Sequence, residues 1–180
     1  MINMRMTLVG VAGCLAIAAT SAFADTARAR LLATDDGRQV GDVVLTANAK
    51  SLSISARLTG ARPGQHGFHI HELGDCDNGG KAAGGHFNPR KTAHGLFTRD
   101  GKRKAHGGDL GNITIGPDGN GTLQAEVKGL TLTTGRMSVA GRAFIVHAKP
   151  DDYGQPTGNA GPRVACGPIV LTAPEAAPSP

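Results

Sequence analysis

The spacing of the histidines constrains this chain more than any other feature of its sequence. The chain has seven histidines, and six of them lie between positions 69 and 106 or at position 147. His69 and His71 are two residues apart, so on an extended strand both side chains point to the same face and can bind one ion. His66 precedes His69 by three residues. We therefore predict that it projects from the opposite face, outside the set of metal ligands.

The other candidate ligands lie in segments that are typical of loops. Glycine, proline and asparagine surround His86, His94 and His106, and a pair of glycines separates His106 from Asp109. A single histidine is ordinary at the surface or at intermediate burial. Here, however, almost every histidine falls in one region, and histidine is the commonest metal ligand in proteins. The sequence thus predicts a long loop held in place by two metal ions that share ligands.

Four longer motifs extend this pattern over most of the chain. They are GFHIHE (67–72), GHFNP (85–89), HGGDLGN (106–112) and GNAGPRVACG (158–167). Together and in this order they resemble the copper/zinc superoxide dismutases, and in particular the periplasmic bacterial branch of that family. The resemblance extends from about Ala29 to Thr172.

The resemblance implies one copper ion and one zinc ion per chain, with one histidine shared between two ligand sets. The copper ligands would be His69, His71, His86 and His147, and the zinc ligands would be His86, His94, His106 and Asp109. An all-imidazole set suits a redox-active copper, whereas three imidazoles and a carboxylate suit a tetrahedral structural zinc. His86 would bridge the two ions.

Further roles follow from the same resemblance. Asp151 would accept hydrogen bonds from one ligand histidine of each metal, although alone it is equally typical of a surface turn. Arg163 would dock the substrate anion, and Cys166 would form a disulfide with Cys76. Thr157 would line the channel opposite Arg163, although alone it is typical of a turn.

The implied activity is the dismutation of superoxide to molecular oxygen and hydrogen peroxide. Copper would carry the electrons and His86 would carry a proton to the second superoxide. Two other functions stay open on the sequence: a copper or zinc buffer without turnover, and a zinc hydrolase. A hydrolase needs a general base, and Glu72 is the only carboxylate adjacent to the first histidine pair.

Short runs of β-forming residues between glycine-rich turns, without a long helical period, predict an all-β domain. We predict strands at 29–33, 39–45, 52–58, 66–71, 112–115, 121–127, 143–147 and 165–171, with a hairpin turn at Asp36-Gly37. The resemblance implies that they form an eight-stranded Greek-key barrel or sandwich, similar to the immunoglobulin fold, with long metal-binding and active-site loops.

The two ends of the chain are expected to lie outside this domain, which spans 25–172. Residues 1–24 have a basic residue, an apolar stretch and a small-residue cleavage site, as in a secretory signal peptide, which implies a periplasmic protein. Cys14 lies in a lipoprotein-like sequence, but the apolar run continues beyond it, which favours ordinary cleavage. Two cysteines then remain, as expected for one disulfide. Proline and alanine dominate 173–180, which we predict to be disordered.

The remaining expectations concern partners. Without residues 1–24 the chain has 18 basic and 14 acidic residues, a formal charge of +4, much of it near His94. This basic region is expected to be a solvated loop face, with two alternatives: it biases an anion's approach or binds an acidic surface. The chain has no tryptophan and one tyrosine, which argues against a single-stranded nucleic acid as partner. No later segment approaches a membrane span. The oligomeric state, monomer or homodimer, is left open.

Overall fold

Nine strands form most of the regular structure in the computed structural model, which describes residues 25–172. They are β1 (Thr26–Ala33), β2 (Gln39–Ala47), β3 (Ser51–Leu58), β4 (Gly64–His71), β5 (Asp109–Ile115), β6 (Gly121–Lys128), β7 (Ala143–His147), β8 (Arg163–Pro168) and β9 (Val170–Thr172). The helical elements are a 3-10 turn (Lys81–Ala83) and one turn of α-helix, α1 (Phe97–Asp100). The predicted signal peptide, the lipoprotein-like Cys14 and the predicted disordered tail lie outside the described residues.

The strands close into an antiparallel barrel. Their order is β2-β3-β6-β5-β4-β7-β8-β1-β9, and an additional pairing of β1 with β2 joins the two sides. The pairings β3–β6, β4–β7 and β1–β8 join strands that are distant in the chain, as a Greek key requires. The predicted all-β, eight-stranded Greek-key barrel is therefore confirmed, with β9 as an extra short strand along β1.

Besides strands that begin a few residues earlier than predicted, the last predicted strand differs from the sequence prediction in kind. The predicted strand 165–171 is two strands, because Ile169 pairs with neither β7 nor β1 in their regular registers. Its backbone N–H donates to Arg142 O at 2.7 Å, and its oxygen accepts from Gly141 N at 3.0 Å. The chain thereby passes from a position beside β7 to a second position along β1. Within residues 25–172, no helix is long and apolar enough to span a membrane.

Alternation of buried and exposed side chains along β1 and β3 builds part of the barrel interior. In β1 and β3 every second side chain is buried, as expected for strands with one face on the core. Phe68 of β4 and Phe144 of β7 stack in parallel inside the barrel, with ring centroids 5.1 Å apart. Because Phe68 and Ile70 fill the core, His69 and His71 point to the opposite face, beneath the long loops.

The stacked pair provides a test of the core. Phe144→Ala removes a fully buried ring, and we expect the free energy of unfolding to fall by about 3–5 kcal/mol. Leu171→Ala is the control, because Leu171 is 50% exposed and its truncation should cost less than about 0.5 kcal/mol. Denaturant titration of both variants measures the difference, and equal losses would place Phe144 outside the cooperative core.

Candidate metal centre

Two adjacent strands and a loop bring the first histidine group together. His69 and His71 lie on β4, and His147 ends β7, which pairs with β4. The loop carrying His86 returns beside β4, where His86 forms an isolated bridge with His71. One potential ligand atom from each of these four histidines lies within 4.8 Å of every other, and all four are buried.

The hydrogen bonds of this group leave three ring nitrogens free to bind a metal. His71 Nδ1 donates to Gly84 O, and His147 Nδ1 donates to Gly161 O, each at 3.0 Å. His69 Nε2 donates to the Asp151 carboxylate at 2.9 Å. In a neutral imidazole, the nitrogen that does not donate carries a lone pair. Those other nitrogens, His69 Nδ1, His71 Nε2 and His147 Nε2, are buried without a hydrogen-bond partner.

A second group surrounds the carboxylate of Asp109. His86 Nδ1 lies 2.8 Å from Asp109 Oδ1, and His106 Nδ1 lies 3.1 Å from the same oxygen. His94 Nδ1 lies 3.0 Å from Asp109 Oδ2, but without hydrogen-bond geometry. Backbone N–H groups of Gly95 and His106 donate to Asp109 Oδ2 and fix the carboxylate. Three imidazole nitrogens and a carboxylate thus converge at one point.

His86 belongs to both groups. Its Nδ1 faces Asp109 and the second group, so its Nε2, on the other end of the ring, is directed away from that group. Its ring centroid lies 4.2 Å from that of His69 and 5.4 Å from that of His106. The structure therefore places His86 where the sequence analysis expected a bridging ligand.

Asp151 also joins the two groups. Its carboxylate accepts from His69 Nε2 and from His94 Nε2, at 2.9 Å and 3.0 Å. Asn112 fixes its backbone, since the Asn112 side chain donates to Asp151 O and accepts from Asp151 N. Asp151 therefore orients one histidine of each group and defines which nitrogen of each ring carries the proton.

The pKa values of three histidines are lowered, which favours the neutral ring that can bind a metal ion. Burial lowers the pKa of His71 to about 2, that of His86 to about 4 and that of His147 to about 3. These rings are neutral at pH 7, as a metal ligand must be. Burial also opposes a charge on His94, but the close carboxylates of Asp109 and Asp151, the second of which accepts a hydrogen bond from the ring, outweigh it and raise its pKa to about 9. A metal ion in the second group would replace that proton.

The buried carboxylates of Asp109 and Asp151 are charged. Burial alone would raise the pKa of Asp109 and of Asp151, but hydrogen bonds from the surrounding histidines outweigh it and hold both values well below the usual range. Buried negative charges must be compensated, and here the surrounding histidines and a bound cation can both do so.

Arg163 lies beside the first group, held by the loop between β4 and β5. Its guanidinium donates to Gly80 O and to Gly84 O. The Gly84 oxygen also accepts from His71 Nδ1, so one carbonyl fixes both the cation and a histidine of the first group. Arg163 is partly exposed, and burial lowers its pKa from an already very high value.

The predicted disulfide is confirmed, and it anchors the same loop. Cys76 and Cys166 are bonded across 90 residues of chain. Gly80 N donates to Cys76 O at 3.0 Å, so the bridge fixes the segment whose carbonyls hold Arg163. Cys166 packs in a small buried cluster with Ala83, which ends the 3-10 turn of this loop.

Thr157 and His66 lie outside the two histidine groups. Thr157 is exposed in the turn after Asp151, and it does not line the concavity in front of Arg163, whose lining includes Lys81 and Pro162. Its role in a channel stays a prediction. His66 is buried, with its ring nitrogens 2.8 Å from the backbone oxygens of His147 and Arg62, outside both groups.

Sequence reasoning missed the residues that orient the ligands through the backbone. Asn112 lies in a motif that the sequence analysis quoted, but no role was assigned to it. The carbonyls of Gly80, Gly84 and Gly161 have no signal in the sequence, because every residue carries a carbonyl. Asn112 is the only member of this set with a side chain that could have indicated its function.

Comparison with known proteins agrees with this geometry. The sequence profile of the family described as "Copper/zinc superoxide dismutase (SODC)" matches residues 39–169. The chain belongs to the copper/zinc superoxide dismutase family. The two buried groups, with their unpaired ring nitrogens and shared histidine, fit the pair of metal ions after which this family is named.

Solved structures of similar proteins show the same fold. The crystal structure of the clock protein EA4 is 32% identical, with a TM-score of 0.73, and the match covers 87% of this chain and 100% of that one. A superoxide dismutase-like protein from Bacillus subtilis is 32% identical, with a TM-score of 0.69, over 78% of this chain and 95% of its own. A double mutant of a superoxide dismutase-like protein from Bacillus subtilis, in which histidines replace a tyrosine and a proline, is 34% identical, with a TM-score of 0.71. The match covers 79% of this chain and 96% of that one.

A glycine next to Asp151 provides a test of the orienting carboxylate. Gly158 has a positive φ of 78°, and a Cβ there would lie 1.9 Å from Asp151 Oδ1 and 2.6 Å from His94 Nε2. We expect Gly158→Ala to displace Asp151 and to weaken metal binding by about 10- to 100-fold, as loss of an outer-shell partner does. Competition with a chelator measures the affinity.

Gly135→Ala is the matched control. Gly135 has nearly the same φ, 75°, but a Cβ there meets nothing within 4 Å. Both variants carry the same backbone strain, so only Gly158→Ala should lose metal affinity. Equal affinities in the two variants would show that Asp151 does not support the metal centre.

Proposed function

We propose that this protein catalyses the dismutation of superoxide, with copper in the first histidine group and zinc in the second. The observation that carries the proposal is the position of His86, shared by two buried groups that differ in chemistry. The first group offers only imidazole nitrogens, which suit copper. The second adds the Asp109 carboxylate, which suits a closed, tetrahedral zinc.

Arg163 would bind the substrate. Superoxide is a small anion, and a guanidinium held by Gly80 O and Gly84 O presents its remaining N–H groups in a fixed direction. Because Gly84 O also fixes His71, the bound anion would lie beside the first group. The disulfide keeps this arrangement from loosening between turnovers.

The reaction balances with one electron and two protons. One superoxide gives up an electron and leaves as oxygen; a second accepts that electron and two protons and leaves as hydrogen peroxide. Bound copper would supply the one-electron redox chemistry. His86 would deliver one of the protons from Nε2, while its Nδ1 stays in the second group beside Asp109.

The geometry does not favour the hydrolase alternative. The Glu72 side chain is exposed and accepts from Gly85 N at 3.1 Å, and it belongs to neither histidine group of the described residues. A metal buffer would need only the ligands, so it would not account for the position of Arg163.

The similar structures are those of a clock protein and of a superoxide dismutase-like protein, so the proposed activity is to be measured directly on this protein.

We also propose that the protein acts in the periplasm, where it would remove superoxide. Support comes from the signal-like residues 1–24 of the sequence. An oxidising compartment would also preserve the Cys76–Cys166 bond.

Arg163→Ala tests the substrate role. Loss of a charge-assisted hydrogen bond costs about 1.5–3 kcal/mol, so we expect kcat/KM for superoxide to fall by about 10- to 100-fold while copper and zinc contents stay near those of the wild type. Arg57→Ala, at an exposed position on β3, is the control. A parallel loss of metal and activity would assign Arg163 a structural role instead.

A further inference from the structure

The net charge of the described residues lies in one loop. Residues 25–172 include 18 basic and 13 acidic residues, a formal charge of +5. The segment 90–104 alone has six basic residues and one acidic residue, also +5. The rest of the described chain is therefore neutral overall. We name the six cations the basic loop patch; they are Arg90, Lys91, Arg99, Lys102, Arg103 and Lys104, and all are exposed.

Hydrogen bonds within the loop bring the two halves of the patch together. Thr92 Oγ1 donates to Ala105 O at 2.7 Å, which joins the segment after Lys91 to the segment after Lys104. The Asn88 side chain accepts from Thr92 N and donates to Thr92 O, each at 3.0 Å, which closes the first half into a turn. These bonds place the backbone at Lys91 beside the backbone at Lys104, so the two ends of the patch are neighbours.

The cluster is poorly neutralised by the protein itself. Arg99 pairs with Asp100 at 2.7 Å. Within residues 25–172, the other five members of the patch form no ion pair within 4.0 Å. Five adjacent cations repel one another in the free protein, and an anionic surface would relieve that repulsion.

The shape and chemistry of the loop distinguish among polyanions. The groove beside the loop is lined by Leu96, Thr98 and Tyr153, and none of the six cations lines it. The six cations are exposed outside this groove, so the groove offers a linear polymer no charged channel. The Arg99 guanidinium lies 5.2 Å from the centroid of the Tyr153 ring and covers one face on which a nucleobase would stack.

We propose that the basic loop patch docks the protein onto an anionic membrane surface. Clusters of four to eight lysines and arginines near a membrane surface attract anionic lipid headgroups electrostatically. The one phenylalanine of the loop, Phe97, does not insert, because it is only 2% exposed and packs in the core. Binding would therefore be reversible and sensitive to salt.

Sedimentation with vesicles tests this proposal on the metal-loaded protein, purified after export. One set of vesicles contains phosphatidylglycerol and phosphatidylcholine, and the other contains phosphatidylcholine alone. We expect binding only to the anionic set at low ionic strength, with at least a tenfold loss in 0.5 M salt. Binding to both sets without dependence on salt would indicate an apolar anchor and would overturn the proposal.

Charge reversal locates the binding surface. The triple variant Lys102→Glu, Arg103→Glu and Lys104→Glu should bind anionic vesicles at least tenfold more weakly than the wild type. The matched control reverses Lys50, Arg57 and Lys128, which are exposed at or near β3 and β6 and give the same change in net charge. The control should retain most of its binding; equal losses would show that net charge, and not this loop, determines binding.

Two further measurements keep the result interpretable. If the glutamate variant does not fold, Lys102→Gln with Arg103→Gln reduces the charge of the patch with smaller side-chain changes and should still weaken binding severalfold. Wild-type protein is also titrated with inorganic polyphosphate and with single-stranded DNA. Binding to either polymer without binding to anionic vesicles would contradict a membrane partner.

Discussion

The pairing of two buried carboxylates with histidines is the interaction on which the rest of this structure depends. Asp109 draws together three histidines from separate parts of a loop, and Asp151 links one of them, His94, to His69 on the barrel. Buried carboxylates are costly unless they are fully bonded. Their hydrogen bonds therefore specify the path of the loops and the free nitrogens of His69 and His94.

The barrel supplies the rigid part of this arrangement. Pairing of β4 with β7 brings His147 beside His69 and His71, while Phe68 and Ile70 fill the core on the reverse face. The loop backbone lies very close to β4 at Gly108, where a Cβ would lie 2.0 Å from Ile70 O. Only glycine allows the loop to lie so near β4 and to return His106 and Asp109 to the site.

Much of this arrangement was predictable from the sequence, for physical reasons. The two-residue spacing of His69 and His71 fixes their common face, and the order of the motifs indicates the family. The break at Ile169 was missed because hydrogen bonds to Gly141 and Arg142 interrupt an otherwise continuous apolar run. The start of β5 at Asp109 was missed because the glycines before it are typical of a loop. Backbone carbonyls that orient rings leave no trace in residue identity.

The rate of superoxide dismutation, measured with copper and zinc counted on the same sample, tests the central claim most directly. The account predicts rapid turnover with about one copper and one zinc per chain, because each histidine group provides one set of converging ligand atoms. Copper and zinc both bound at that ratio without dismutation would contradict it. The protein would then be a metal-binding member of the family in which the position of Arg163 serves another purpose.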